Sequence, residues 1–86
     1  MDDKTRIVGA GNTVVPAYLA LKAKGFLVSR EKHDSGGETW TAENDEVELV
    51  TDDPVHLLGL SVIYELRGKD WMANDKEIDN FLNEFD

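Results

Sequence analysis

The run from Pro54 to Arg67 constrains this chain more than any other segment. Asp53 ahead of it is a natural N-cap, Pro54 suits the first helical position, and Gly68 suits the C′ position beyond the end. Between these signals, Val55-His56-Leu57-Leu58-Gly59-Leu60-Ser61-Val62-Ile63-Tyr64 is apolar around most of a helical circumference. A helix of that kind needs neighbours on more than one side. The chain has 86 residues, which predicts one domain, residues 1–86, with one modest core built around this helix. Gly59 in its interior costs about 1 kcal/mol relative to Ala. Close approach of another element is the expected compensation. Ser61 is expected to bond back to a helical carbonyl.

Two further helices flank this one in sequence. Val14–Lys24 carries Val14, Val15, Tyr18, Leu19 and Leu21 at 3–4 residue spacing, with Asn12 or Thr13 as cap and Gly25 as stop. Near the C-terminus, Asn74-Asp75-Lys76-Glu77 has the Asn-x-x-Glu spacing of a capping box. Ile78, Phe81, Leu82 and Phe85 then form a narrow stripe that should dock on the core, with Trp71 wedged between the last two helices.

Between Gly25 and Asp53 the pattern changes to alternation. Phe26–Lys32, Thr39–Glu43 and Glu46–Val50 read as short strands. A tight turn centred on Asn44 and Asp45 would set Ala42 opposite Val47, Trp40 opposite Leu49, and Glu43 opposite Glu46. The loop His33–Gly37 would set Val28 opposite Trp40. Arg6–Val8 is a further short-strand candidate. The predicted fold class is α+β, in the order α-β-β-β-α-α: a three-stranded antiparallel meander with helices packed on one face. Trp40, Val47, Leu49 and Leu58 fall on the core side. Ser29, Glu31, Thr39, Thr41, Glu43, Glu46 and Glu48 fall on the opposite face, where Leu27 and Val50 also point.

Charge is concentrated in the strand region. The whole chain carries a formal −9, and residues 26–53 hold nine acids against Arg30 and Lys32. That field repels phosphate backbones and anionic lipid, so neither nucleic acid nor a membrane surface is an expected partner. It attracts a basic protein and speeds the encounter. Glu31, Glu43, Glu46 and Glu48 on the outer face, with Asp45 at the hairpin tip, are the candidate binding residues. An N-terminus with acids where a signal peptide needs bases, and no long apolar run, point to the cytoplasm.

Several chemistries lack their residues. There are no cysteines, so disulfides, thiolate metal sites and thiol catalysis are excluded. Val8-Gly9-Ala10-Gly11-Asn12 lacks the third glycine and the preceding strand of a dinucleotide-binding turn. His33 and His56 have no metal-ligand spacing, and no EF-hand loop is present. No serine sits in a nucleophile elbow. Glu46 and Glu48 on an exposed strand face would lack the desolvation a general acid needs. No cofactor, metal or catalytic residue is therefore expected. The leading expectation is a small non-catalytic protein-binding module, in the style of inhibitor or immunity proteins that present carboxylates to a basic target. A structural or homo-oligomeric domain, monomer or homodimer, is a second reading, motivated by Leu27 and Val50. An enzyme or small-ligand binder is a third, but a solid core this small leaves little room for a pocket of several hundred Å³.

Overall fold

A computed structural model describes residues 4–85. A 3₁₀ turn over Gly11–Thr13 leads into α1 (Val14–Ala23). Strands β1 (Leu27–Lys32), β2 (Glu38–Glu43) and β3 (Glu48–Thr51) follow, then α2 (Pro54–Arg67), a second 3₁₀ turn over Gly68–Asp70, and α3 (Asp75–Phe85). The strands form one antiparallel sheet in the order β1-β2-β3. The fold is the expected α+β arrangement, except that only α1 and α2 pack against the sheet. Arg6–Val8 forms no strand, and Ile7 and Val8 are exposed.

Local chemistry sets the helix limits. Gly25 adopts φ +92° and closes α1. The Gly25 and Phe26 N–H groups donate to the carbonyls of Lys22 and Leu21, satisfying two otherwise orphaned acceptors. Thr13 stands at the N-cap of α1 but does not cap it; its hydroxyl donates to the Ala10 carbonyl at 2.7 Å instead. At α2 the expected signals all operate. The Asp53 carboxylate accepts from the His56 N–H at 2.8 Å, Pro54 opens the helix, and Gly68 ends it at φ +70°. The Ser61 hydroxyl donates to the Leu58 carbonyl at 2.7 Å.

The strand register differs from expectation by two residues at both hairpins. Ala42 lies opposite Leu49, Trp40 opposite Thr51, and Glu43 opposite Glu48 rather than Glu46. Asn44 causes this shift. Its side-chain oxygen accepts from the N–H groups of Glu46 and Val47 at 2.8 and 2.9 Å, and its own N–H donates to the Val47 carbonyl. The turn therefore absorbs Glu46 and Val47, and β3 begins at Glu48. On the other side Val28 lies opposite Ala42 and Arg30 opposite Trp40. There, hydrogen bonds between His33 and the positive-φ pair Gly36 and Gly37 close the loop tightly, so pairing continues to Lys32 and Glu38. A two-residue slip preserves which face each side chain occupies.

The core is small: Leu21, Phe26, Ala42, Leu49 and Leu57, with Val28, Trp40, Val47, Leu58 and Leu60 against its margin. Leu57, not Leu58, is the completely buried leucine of α2. Helix α2 has neighbours on two sides, α1 and the sheet. Its remaining side leaves Val55, Val62 and Leu66 exposed. Gly59 does not accommodate a close neighbour, because a methyl group built there meets nothing within 4 Å. Gly59→Ala should therefore raise stability by about 1 kcal/mol through helix propensity alone. A urea titration with an unchanged slope and a higher midpoint is the expected readout.

Helix α3 departs most from expectation. Its capping box forms: Glu77 N–H donates to the Asn74 side chain at 2.8 Å, and Asn74 N–H donates to the Glu77 carboxylate at 2.9 Å. Arg67 ties the junction to α2, donating to the Trp71 and Met72 carbonyls and to Glu77 at 3.0 Å. These contacts aim α3 away from the sheet. No α3 residue is buried, and Phe81 and Phe85, with ring centroids 5.1 Å apart, mainly cover each other. Trp71 is half-exposed rather than a buried wedge. The Asn74 N–H and the Arg67 guanidinium hold the Glu77 carboxyl below its usual range. A depressed folded pKa means this tie is present above the ordinary glutamate value and is lost as pH falls through the lowered one. The Asn74 amide resonance should accordingly hold its position until the pH falls below the ordinary glutamate range, and move only there.

Candidate functional site

The outer face of the sheet is built by alternation. Leu27, Ser29 and Glu31 of β1 align with Glu43, Thr41 and Thr39 of β2, and Glu48 and Val50 of β3 continue the same face. Helices α1 and α2 cover only the opposite face, where the core lies. Leu27 and Val50 are 72% and 52% exposed, so none of the described elements covers the outer face there.

The predicted binding residues divide between this face and its turn. Glu31, Glu43 and Glu48 stand on the strands, while Glu46 and Asp45 lie in the β2–β3 turn, beside the face rather than on it. All five are exposed. The ion pairs among the described residues lie elsewhere: Lys24–Glu65, Arg30–Glu38, Arg67–Glu77, and a His56–Asp52 contact at 3.9 Å. Arg30 and Lys32 share the sheet's inner face with Glu38, so neither offsets the outer carboxylates across the strands. The Arg30 guanidinium also lies 5.6 Å from the centre of the Trp40 ring, and the Trp40 indole donates to Glu38 at 2.8 Å. Sequence reasoning missed this cluster, although the alternation of Arg30, Glu38 and Trp40 onto one face contains its signal.

Glu43 and Glu48 are direct cross-strand partners on the bare face. Like charges in that position destabilise a sheet. Chemically, the face can attract cations and accept hydrogen bonds.

An apolar groove was not expected from the sequence. A groove of about 550 Å³ runs between β3 and α2, floored by Val47, Leu49, Leu60, Ile63 and Tyr64, with Trp71 at its lip. It contains neither histidine. His56 meets Thr51 at 2.9 Å, and His33 meets Thr39 at 2.7 Å. Among the described residues no group of three His, Asp or Glu side chains is placed to hold a metal ion, and no helix is long and apolar enough to cross a membrane. Comparison with family models, curated proteins and solved structures returned no match to this chain.

Proposed function

We propose that this protein is a non-catalytic binding module that presents its acidic sheet face to a basic protein, in the manner of an inhibitor or immunity protein. The observation that carries the reading is a sheet face left bare by the helices, on which Glu31, Glu43 and Glu48 stand without a counter-ion among the described residues, flanked by Asp45 and Glu46. The Glu43–Glu48 pairing supports it further. A local rule broken at a stability cost is expected where a surface serves a partner. A basic target rimmed by Lys and Arg would relieve that repulsion on docking and gain long-range attraction from the net −9.

Wild-type protein and the Glu43→Lys/Glu46→Lys variant, immobilised in parallel and exposed to extract from the native source, test this directly. The proposal expects a basic protein retained by the wild type and lost from the variant. Retention of the same protein by both, or of no basic protein by either, contradicts it.

A further inference from the structure

The surface left open by this chain is larger than its mass accounts for. A folded monomer of 9.6 kDa exposes about 5,100 Å². This chain exposes 7278 Å². Its Cα radius of gyration is 15.8 Å, against about 12 Å for a compact domain of this length. The excess area, about 2,200 Å² per chain, exceeds the roughly 800 Å² that each partner contributes to a stable interface.

Part of the exposed apolar area lies on one helix face and in one groove. The helix face is convex. Ile78, Phe81, Leu82 and Phe85 leave 45%, 60%, 53% and 69% of their surface in solvent, along about a 100° stripe of α3. The other is the concave apolar groove between β3 and α2. The Arg67 tie aims α3 away from the sheet that forms this groove, so the stripe and groove of one chain do not meet.

We propose that the groove is filled by α3 of a second copy, and that the exchange is reciprocal. A different protein would have to present both a ridge and a groove in matching positions. A second copy presents both by construction, and a two-fold axis closes the pair by using both helices and both grooves. A membrane is the poorer occupant. The 3.6-residue repeat places Asp75 and Asp79 along one flank of the stripe and Glu77 and Glu84 along the other, where a membrane-surface helix carries Lys and Arg.

Charge gives the dimer a distinctive signature. Glu46 and Glu48 line the groove beside a single cation, Lys69, the incoming helix is acidic, and each chain carries a formal −9. Apolar burial therefore works against repulsion, and salt tightens the dimer by screening it. Binding of a basic partner to the sheet face has the opposite salt dependence, so failure of either idea is seen separately.

Sedimentation velocity on the full chain at low and high salt tests this. The expected result is a dimer whose fraction rises with salt. Phe81→Asp, which lies outside the core cluster, should be monomeric and should melt where the wild type does once that is diluted below its dimerisation constant. Ile63→Glu in the groove should also be monomeric. Trp71→Ala at the lip, outside the core cluster, should weaken the dimer at least tenfold and serves if Ile63→Glu fails to fold. Mixing Phe81→Asp with the groove variant should recover a heterodimer through the one intact helix–groove contact. A wild-type monomer at hundreds of micromolar in high salt overturns the proposal. So does a groove variant that remains fully dimeric, since that result assigns the contact to α3 pairing with α3.

Discussion

Leu57→Ala is expected to destabilise this protein by about 2–5 kcal/mol. Leu57 is wholly buried and belongs, with Leu21, Phe26, Ala42 and Leu49, to the core cluster. A five-residue core has little capacity to collapse around the lost volume. Small domains carry total stabilities of about 5–15 kcal/mol, so the loss removes a large fraction. For a domain of this size it corresponds to a melting point roughly 10–30 °C lower. Leu58→Ala provides the contrast. Its side chain lies at the core margin, so its loss should be clearly smaller. Thermal melts of the two variants side by side check both the magnitude and the rotation of α2 about its axis. Equal losses would mean that α2 buries a different face.

Glu43→Lys is expected to act on stability and on binding with opposite signs. In the folded sheet the new lysine lies opposite Glu48, turning a repulsive cross-strand pair into an attractive one. Such pairs contribute about 0.2–1 kcal/mol, so the melting temperature should rise. Toward a basic partner the same change removes a carboxylate and adds a like charge. About a tenfold loss of affinity, equivalent to about 1.4 kcal/mol, is expected, most of it in the association rate. Calorimetry and stopped-flow association measure the two effects independently. A variant that gains stability without losing affinity would show that the outer face is merely solvated.

Much of this architecture was legible in the residues because it depends on local chemistry. Asp53, Pro54 and Gly68 bracket α2, Asn74 and Glu77 form their box, and the alternation in β1–β3 puts Leu49 and Ala42 inside and Glu31, Glu43 and Glu48 outside. Register was less legible. It depends on Asn44, whose side chain captures two backbone N–H groups and converts an expected two-residue turn into a longer one. That moved Glu46 off the strand without moving any strand side chain to the other face. The placement of α3 was not legible at all. A stripe such as Ile78/Phe81/Leu82/Phe85 shows that something covers a helix, but not what. Here the direction is set by Arg67, whose contacts to Trp71, Met72 and Glu77 have no periodic signal. The candidate site was legible as a charge pattern, but the groove beside Trp71 was not, because it is lined jointly by β3, α2 and the segment after α2, whose relative placement no local pattern encodes.

The salt dependence of the complex with the basic protein retained by the wild-type bait tests the acidic-face account most directly. If carboxylates on the open sheet steer and hold the partner, the dissociation constant should climb steadily with ionic strength, and the association rate should carry most of the change. A dissociation constant that stays flat from low to high salt would contradict it.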